Sequence, residues 1–409
     1  MSPGKAAPAA SLEERGDDRR GTSQAGMRLY NERLALSLIR RRGSLPKAEI
    51  ARLTGLSAQT CSVIVKQLEA DGLLRKEAPQ RGRVGQPSVP FSLDPDGAFS
   101  LGLKIGRRSA DLVLIDFVGG ERARRRQSYR YPEPGPLLGF VGEALPELEG
   151  ALRPAQRSRI AGLGVAMPWQ IWSWQQEIGA PQAVLDQWRD LVVADELGAV
   201  CPHPLTVYND ATAACAAELA FGGGGRFRDF LYVFVGSFIG GGVVLDGKLL
   251  TGRTGNAGAL GSMPVPAPDG GLRQLLQQAS LFILERRLEA SGFDPRRLEL
   301  ADAAWDEASP LVETWLNAAA AAIATAIVSA VAVLDLGTVV LDGGFPPAIR
   351  ARLGAAVRDA LGRLDRQGLS EFELIEGTLG AGARALGGAA LPLLANFAID
   401  SELLLKDGV

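Results

Sequence analysis

The sequence predicts an α/β protein that carries a winged helix-turn-helix near its N-terminus. Residues 47–83 show a helix-turn-helix pattern followed by a basic hairpin. From Phe99 onward, strand-like runs alternate with helical segments and are separated by glycine turns, which is typical of α/β architecture with a parallel component. A chain of 409 residues is long enough for two or three domains.

The helix-turn-helix can be followed residue by residue. Lys47–Thr54 is predicted to be a short helix that ends at Gly55, a residue suited to the left-handed backbone conformation. Ser57 is predicted to be the N-cap of a second helix, which begins at Ala58. The buried stripe of this second helix follows the spacing i, i+3, i+4, i+7 and consists of Cys61, Ile64, Val65 and Leu68.

The opposite face of the second helix is polar near its start and is predicted to enter the major groove of DNA. Residues 73–76 are predicted to be a strand, and residues 80–83 the tip of a wing whose arginines reach phosphate or a minor groove. The predicted DNA-binding residues are Lys47, Ser57, Gln59, Thr60, Ser62, Lys66, Arg81 and Arg83. The alternative is an ordinary small helical bundle, because any such bundle has a buried stripe.

The distribution of charge favours the DNA-binding interpretation. Residues 1–90 contain 16 Lys and Arg against 9 Asp and Glu, whereas the rest of the chain contains 28 against 37. The overall net charge of −2 therefore hides a basic N-terminal part and an acidic C-terminal part. Phosphate neutralisation needs a local basic surface, so operator DNA is the expected partner.

The composition divides the chain into three predicted parts. Residues 1–26 are expected to be a disordered arm, because they are rich in Ala, Pro, Gly and charge and have no apolar segment of the kind a signal peptide needs. Residues 27–95 are expected to be the DNA-binding domain with its linker, which covers residues 85–95. Residues 96–409 are expected to be the second domain.

Cysteine usage and hydropathy predict a cytoplasmic protein that does not span a membrane. The three cysteines are too scattered for a disulfide framework: Cys61, Cys201 and Cys215. Residues 317–334 are uncharged over roughly the length that crosses a bilayer. Because half of this segment is alanine and a strand follows it at once, it is predicted to be a helix buried in the α/β core.

Three groups of residues in the second domain follow predicted strands. Pro168, Asn209 with Asp210, and residues 236–242 all fall at the ends of predicted strands. Ligands of α/β proteins bind beyond the carboxyl ends of strands, so these groups are expected to converge on one cleft.

The order of these motifs resembles that of the ROK family of repressors and sugar kinases. Residues 209–211 (NDA) are followed by Glu218, and residues 236–265 read GSFIGGGVVLDGKLLTGRTGNAGALGSMPV, similar to the family's glycine-rich segment. Residues 341–344 (LDGG) resemble a late strand and its turn, and residues 380–383 (GAGA) resemble the start of the C-terminal helix. The resemblance implies an actin-like, ribonuclease-H-like domain with two lobes that senses a small effector, and it implies homodimers or homotetramers.

The chain departs from the family pattern where kinases bind the nucleotide phosphates. Family kinases carry an Asp-x-Gly-x-Thr loop there, whereas this sequence has Lys104 in place of the aspartate, and then Gly106, Arg107 and Arg108. Asp210, which the resemblance identifies with the general base, is retained. A base without a site for metal and phosphate has no phosphoryl donor, so no catalytic residue, no cofactor and no kinase activity are expected.

The zinc site of the family is also absent from the sequence. The position of its histidine is Ser262, and the segment that would supply three cysteines, residues 266–280, contains none. The one histidine of the chain, His203, lies elsewhere. Because a tetrahedral zinc site needs several N or S ligands together, no structural zinc is expected.

Sugar recognition is altered as well. Ala259 replaces the family's first glutamate, and its second glutamate aligns with Leu276 or Arg273. Residues 168–174 (PWQIWSW) replace a Pro-Gly loop, and tryptophan offers a flat apolar face and an N–H donor to a ligand. The predicted ligand-binding residues are Trp169, Trp188, Asn209 and Asp210. The alternative role of the tryptophans is to fill the cleft or to form a subunit contact.

Three functions remain open from the sequence. The first is a transcriptional regulator, with repression as the expected sign, whose ROK-like domain senses a sugar or sugar derivative and lacks kinase activity. The second is an ATP-dependent hexokinase with a DNA-binding appendage. The third is a ligand-independent DNA-binding protein with a decayed effector cleft.

Overall fold

The computed structural model describes residues 24–79, 88–175 and 179–399. The N-terminal part of these residues is a winged helix, as the sequence predicts. Its elements in chain order are α1 (Gln24–Arg42), β1 (Ser44–Pro46), α2 (Lys47–Thr54), α3 (Ala58–Ala70), β2 (Leu74–Lys76) and β3 (Pro90–Leu93). The three strands form an antiparallel sheet in the order β1-β3-β2.

The predicted turn chemistry of this domain is confirmed. Gly55 ends α2 in the left-handed conformation, with φ of 72°. The Ser57 hydroxyl accepts a hydrogen bond from the backbone N–H of Thr60 at 3.1 Å and so caps α3. The predicted stripe of α3 is buried at all four positions: Cys61, Ile64, Val65 and Leu68.

Two features of the winged helix differ from the sequence prediction. The first helix, α1, was missed because its buried side is short: Ala35, Leu36 and Ile39. It begins at Gln24, inside the segment 1–26 that was predicted to be a disordered arm, and residues 1–23 lie outside the described residues. The predicted linker contains β3, which pairs with both β1 and β2 and is therefore part of the winged-helix sheet.

The next part of the chain forms the first lobe of an α/β domain. Its elements are β4 (Phe99–Ile105), β5 (Ser109–Asp116), β6 (Glu121–Ser128), α4 (Pro134–Gly150), α5 (Pro154–Arg157), β7 (Ile160–Met167), α6 (Gln182–Asp186), α7 (Val193–Gly198) and β8 (Leu205–Asn209). The sheet has the order β6-β5-β4-β7-β8. Its first three strands are antiparallel, and β4, β7 and β8 are parallel to one another.

The remaining elements form the second lobe and the helices between the lobes. They are α8 (Asp210–Phe221), β9 (Phe230–Val235), β10 (Ile239–Leu245), β11 (Lys248–Leu250), β12 (Pro264–Pro266), β13 (Leu272–Gln274), α9 (Leu276–Ala279), α10 (Leu281–Ala290), α11 (Arg297–Leu300), α12 (Ala303–Glu307), α13 (Ser309–Leu334), β14 (Thr338–Gly343), α14 (Pro347–Gly362), β15 (Glu373–Glu376) and α15 (Ala383–Phe397).

The main sheet of the second lobe repeats the topology of the first. Its order is β11-β10-β9-β14-β15, with three antiparallel strands followed by two parallel additions. This repetition of one sheet topology in two lobes is the architecture expected of an actin-like domain. The predicted fold class, an α/β protein with a winged helix-turn-helix ahead of an actin-like, ribonuclease-H-like two-lobed domain, is therefore confirmed.

Helix α15 packs so closely against its neighbours that glycine is required at the contacts. A Cβ atom on Gly387 would lie 2.0 Å from the backbone oxygen of Ala213 in α8. A Cβ atom on Gly102 in β4 would lie 2.4 Å from the backbone oxygen of Ala385 in α15. These distances exclude any side chain, so α15 lies directly on α8 and on the sheet of the first lobe.

One hydrophobic cluster joins the winged helix to the α/β domain. From the winged helix it includes Ala35, Leu36 and Ile39 of α1; from the first lobe it includes Val113, Ile115 and Phe117; from α15 it includes Ala385, Ala389 and Leu393. The ring of Phe117 also lies 4.8 Å from the ring of Phe397, in an edge-to-face arrangement. The two domains therefore share a core and are not joined by a linker alone.

Helix α13 contains the uncharged segment that the sequence predicted to be buried. Among the described residues it is the single helix whose length and composition would suit a membrane span. Its side chains instead fill the core of the second lobe, where Trp315, Ile323 and Ile327 are fully buried. The predicted buried helix is therefore confirmed.

Weakening the shared core should destabilise both domains together. The change Ile39→Ala removes a fully buried side chain and should cost about 2–5 kcal/mol of unfolding free energy. Because every tryptophan of the chain lies beyond the winged helix, tryptophan fluorescence reports on the α/β domain alone. We expect Ile39→Ala to lower the fluorescence-detected unfolding midpoint, although the mutation lies in α1.

Val63→Ala is the matched control, because Val63 of α3 is 62% exposed and should change the midpoint little. The two domains would unfold independently if Ile39→Ala left the fluorescence midpoint unchanged. Circular dichroism would then show a loss of helix at a lower temperature than the fluorescence change.

Candidate DNA-binding face and ligand cleft

The exposed face of α3 carries the residues predicted to contact DNA. Gln59, Thr60, Ser62, Val63 and Lys66 are all exposed, on the side of the helix opposite its buried stripe. A helix that presents short polar side chains near its N-terminal end fits the major groove in the manner of helix-turn-helix proteins.

Other members of the predicted DNA-binding set have local structural contacts. The Ser57 hydroxyl, which caps α3, also lies 2.8 Å from the Thr60 hydroxyl, so the two side chains are hydrogen-bonded to each other. The Lys47 ammonium group lies 5.3 Å from the centre of the Phe91 ring, which connects α2 to β3. Arg81 and Arg83, the predicted wing arginines, lie outside the described residues.

A cavity of about 410 Å³ lies between the two lobes of the α/β domain. Its walls include all three groups that follow strands in the sequence: Pro168 after β7, Asn209 and Asp210 at the end of β8, and the glycines of β10. The predicted convergence of strand ends on one cleft is therefore confirmed. Contact between these residues and a ligand remains a prediction.

Asn209 and Asp210 have different roles at the start of α8. The side-chain oxygen of Asn209 accepts a hydrogen bond from the backbone N–H of Ala211 at 3.0 Å, so Asn209 is the N-cap. Asp210 is not the cap. Its carboxylate forms a salt bridge with Arg384 at 3.1 Å, and both side chains are largely buried.

Arg384, the partner of Asp210, has no signal in the sequence. It lies on α15, and its guanidinium group stacks 5.3 Å from the centre of the Phe234 ring while it binds Asp210. The two partners of the salt bridge are 174 residues apart in the chain. No periodicity or local motif could have revealed the pair, because only the packing of α15 against α8 brings them together.

The tryptophan loop after β7 forms one wall of the cavity through Trp169, Trp172 and Trp174. The indole N–H of Trp169 donates a hydrogen bond to the backbone oxygen of Gly255 at 3.2 Å. The indole N–H of Trp174 donates one to the backbone oxygen of Trp169 at 3.0 Å. Since protein groups satisfy these N–H donors, the loop offers mainly apolar ring surface to the cavity.

The structure does not place Trp188 in the cavity, although the sequence analysis named it as a ligand-binding residue. Its side chain is only 2% exposed and packs in the core of the first lobe. Its indole N–H donates a hydrogen bond to the backbone oxygen of Pro132 at 3.1 Å. Trp188 follows the tryptophan loop closely in the sequence, but its ring packs in the interior of the first lobe and not in the cavity.

Lys104 forms a buried ion pair where kinases of the family carry an aspartate. Its ammonium group lies 3.0 Å from the carboxylate of Asp111. Burial, with the nearby positive charge of Arg384, lowers the pKa of Lys104 to about 8. Burial raises the pKa of Asp111, but Lys104 and nearby arginines lower it more strongly, so the net shift is downward. The carboxylate is therefore held in its ionised form.

Two arginines of the same turn cross from the first lobe to the second. The turn between β4 and β5 carries Arg107, which forms a salt bridge with Glu285 of α10. The neighbouring Arg108 lies 3.6 Å from Glu285 and 3.6 Å from Glu289. The loop that would cradle phosphates in a kinase thus binds carboxylates of the opposite lobe.

The residues around Ser262 do not fit a zinc ion. Ala259 and Ser262 line the ligand cavity and supply no nitrogen or thiolate ligand. His203 lies apart and contacts Glu149 at 2.7 Å. Within the ranges 24–79, 88–175 and 179–399, no group of three or more His, Cys, Asp or Glu side chains has the arrangement of a metal site.

The two alternative positions for the family's second glutamate have different surroundings. Leu276 lines the cavity, so this position contributes apolar surface. Arg273 is exposed and pairs with Asp269 outside the cavity. Among the described residues that line the cavity, Asp210 is the acidic residue that a sugar hydroxyl could contact.

Comparison with known proteins identifies two families along the chain. The ROK family model matches residues 100–393, and the MarR family model matches residues 30–83. The protein y4fQ of Sinorhizobium fredii is 27% identical over 371 residues, which cover 90% of this chain and 91% of that protein. The xylose repressor of Caldicellulosiruptor bescii is 23% identical over 296 residues, which cover 69% of this chain and 72% of that protein.

Two solved structures share the fold. The ROK family transcriptional regulator described as a homolog of the E. coli MLC protein superposes with a TM-score of 0.63, at 16% identity, over 91% of this chain and 98% of that one. The ROK hexokinase of Thermus thermophilus superposes with a TM-score of 0.51, at 27% identity, over 71% of this chain and 97% of that one. The first similarity includes the winged helix, and both include the two-lobed domain.

The exposed face of α3 generates a prediction about sequence recognition. Gln59→Ala should reduce the affinity for operator DNA by about 1–3 kcal/mol, and the loss should depend on a single base pair. The matched control is Gln67→Ala two turns further along α3, where the Gln67 amide donates a hydrogen bond to Asp71 at 2.8 Å. Footprint titrations on the operator and on single-base variants measure both effects. Equal affinity of both variants for every sequence would remove Gln59 from the recognition surface.

Proposed function

The chain belongs to the ROK family, and we propose that it is a DNA-binding transcriptional regulator that represses carbohydrate-metabolism genes until a small metabolite binds its interlobe cavity. The winged helix supplies the DNA-binding face, and the cavity that contains Asp210 supplies the sensor. The expected effector is a sugar or sugar derivative. The expected assembly is a homodimer or homotetramer on a two-fold operator.

The observation that carries this proposal is the position of α15, which runs from the cavity to the winged helix. Near its start, Arg384 binds Asp210 in the cavity wall. At its other end, Leu393 lies in the same cluster as Ile39 of α1. The helix has 15 residues and is therefore about 22 Å long, at 1.5 Å per residue. A single helix thus contacts both the proposed sensor and the DNA-binding domain.

Ligand binding would change the partner of Asp210. A sugar hydroxyl that donates a hydrogen bond to the Asp210 carboxylate competes with Arg384 for the same oxygens. Displacement of Arg384 shifts the start of α15, and the shared core transmits that shift to α1. A ligand changes operator affinity only through its different affinities for the two arrangements, so the salt bridge is the element that must differ between them.

The surroundings of Asp210 support a regulator that lacks kinase activity. A general base must be free to accept a proton from the substrate hydroxyl, whereas Asp210 is paired with Arg384 at 3.1 Å. Lys104 and Arg107 occupy the phosphate side of the cleft, and both already bind carboxylates. Lys104 and Arg107 are cations, so neither side chain can hold the magnesium ion that carries the donor phosphates.

Two further functions have some support. A hexokinase with a DNA-binding appendage is favoured by the retention of Asp210 and by the similarity to the Thermus thermophilus ROK hexokinase. A ligand-independent DNA-binding protein is favoured by the apolar replacements Ala259 and Leu276 in the cavity wall. Both alternatives give results different from those expected for a ligand-responsive repressor in the experiments below.

The sensor role of Asp210 is tested with a panel of sugars, polyols and sugar phosphates. We expect an effector to change the fluorescence of the tryptophan loop and to release the wild-type protein from operator DNA. Asp210→Asn should bind operator DNA as wild type does but should require at least about tenfold more effector, because it loses a charged acceptor for a ligand hydroxyl. Arg384→Gln should weaken operator binding without effector, because it removes the guanidinium group, whereas the amide oxygen that Asp210→Asn introduces can still accept a hydrogen bond from Arg384.

Asp359→Asn is the control for this experiment, because Asp359 is exposed on α14 and pairs only with Arg363. Release of Asp210→Asn at the wild-type effector concentration would place the sensor outside this cavity. A panel in which no compound changes either fluorescence or operator binding would favour the ligand-independent function.

The absence of kinase activity is tested with ATP, magnesium and hexoses. We expect the rate of ADP formation by the wild-type protein to equal that of Asp210→Asn, because the cations of the cleft leave no site for a metal-bound phosphoryl donor. A coupled assay measures the rate. Turnover that depends on Asp210 would contradict the regulator and favour the hexokinase.

A further inference from the structure

A second cavity lies at the junction of the winged helix and the α/β domain. It has a volume of about 450 Å³ and is separate from the cleft that contains Asp210. The winged helix contributes residues from α1, β2 and β3, and the α/β domain contributes the turn after β5 and the loop that follows α8. We call this space the junction cavity.

The junction cavity is lined by four arginines and, within the part of the chain that the structure describes, by no carboxylate. Arg40, Arg41 and Arg75 come from the winged helix, and Arg226 comes from the loop after α8. Arg75 is partly neutralised, because it lies 3.2 Å from Glu77. The other three arginines make no ion pair with a carboxylate among the described residues. The cavity therefore carries a strong excess of positive charge.

Arg40 shows that this charge is held in place by the fold. Its guanidinium group donates a hydrogen bond to the backbone oxygen of Phe117 at 2.9 Å and stacks 4.8 Å from the Phe117 ring and 5.6 Å from the Phe221 ring. Burial lowers the pKa of Arg40 to about 10. A buried cation without a carboxylate partner is costly, and a bound anion would offset that cost.

Arg41 and Arg226 are the arginines best placed to bind a ligand. The pKa of Arg41 is lowered by burial and by the positive charges of Arg228 and Arg42, so an anion nearby would relieve repulsion as well. The Arg226 guanidinium stacks 4.8 Å from the Phe227 ring, and no carboxylate of the described residues forms an ion pair with it. Arginine binds phosphate through paired N–H donors in a fixed planar geometry.

We propose that the junction cavity is a binding site for a small phosphorylated metabolite. The arginines would hold the phosphate group. The apolar lining residues Leu219, Phe221 and Pro95 would contact the carbon part of the ligand. The volume suits a molecule of a few to about twenty heavy atoms, within the range of small-molecule sites.

The position of this site gives it a regulatory consequence. A phosphate that binds Arg41 of the winged helix and Arg226 of the α/β domain bridges the two domains across their junction. Such a ligand stabilises one relative arrangement of the DNA-binding domain, independently of the cleft that contains Asp210. The proposed binding site does not depend on the proposed function, because anion binding can be measured without operator DNA.

The experiment uses the full chain with inorganic phosphate and glycerol 3-phosphate as probes and glycerol as the neutral control. Calorimetry in a chloride buffer measures the dissociation constants. We expect both phosphates to bind and glycerol not to bind. Arg226→Gln and Arg41→Gln should each weaken phosphate binding at least about tenfold, which corresponds to the loss of one charge-assisted hydrogen bond.

Arg228→Gln is the matched control, because Arg228 lies near the cavity but is paired with Asp246 at 2.8 Å. It should weaken phosphate binding much less than Arg41→Gln does, because Asp246 already offsets its charge. Thermal unfolding in chloride buffer checks that each variant is folded. If Arg41→Gln does not fold, Arg226→Gln decides the result, because Arg226 is exposed in a loop and its substitution should not disturb the core.

Three outcomes would overturn the proposal. The first is no binding of either phosphate at about 10 mM, above the range of a weak site. The second is an equal loss in Arg228→Gln, which would indicate diffuse surface attraction. The third is a loss of operator affinity in Arg226→Gln without any change in phosphate binding, which would assign the arginines to the DNA backbone.

Discussion

The close packing of α15 against α8 and β4 positions the cavity wall and the winged helix relative to each other. Gly387 of this helix touches the backbone of α8, and Gly102 of β4 touches the backbone of α15. Contacts this close would clash if α15 slid along its axis, so they fix the register of the helix on α8 and on the sheet of the first lobe. The same helix carries Arg384 to Asp210 and Leu393 to α1. Its placement therefore determines both the chemistry of the cleft and the position of the winged helix.

The electrostatics of the cleft follow from that placement. A kinase needs carboxylates and a metal ion around the transferred phosphate, whereas the corresponding positions of this chain hold Lys104 and Arg107, and Asp210 is paired with Arg384; each of these cations is bound to a carboxylate. Pairing offsets the cost of burying these charges, and it also takes up the groups that a nucleotide would need. In the regulator proposed above, the retained Asp210 exchanges one hydrogen-bond partner for another.

The interlobe cavity and the junction cavity differ in the type of ligand that each can hold. The cleft combines aromatic surface from the tryptophan loop with the hydrogen-bonding groups of Asn209 and Asp210, which suits a neutral polyhydroxy compound. The junction cavity combines arginines with a smaller apolar wall, which suits an anion. Because α1 shares one hydrophobic core with the first lobe and α15, a ligand bound in either of the two proposed sites would act on the same DNA-binding domain.

Sequence patterns alone predict the helix-turn-helix, its cap and turn, the buried α13 and the convergence of strand ends on one cleft. These features depend on short-range periodicity and on turn chemistry, which neighbouring residues specify. Tertiary structure alone decided that α1 joins the core, that Trp188 faces the interior, that β3 lies in the predicted linker, and that Arg384 is the partner of Asp210. Each of these depends on contacts between distant segments, and a local pattern cannot encode which distant side chain will arrive at a given site.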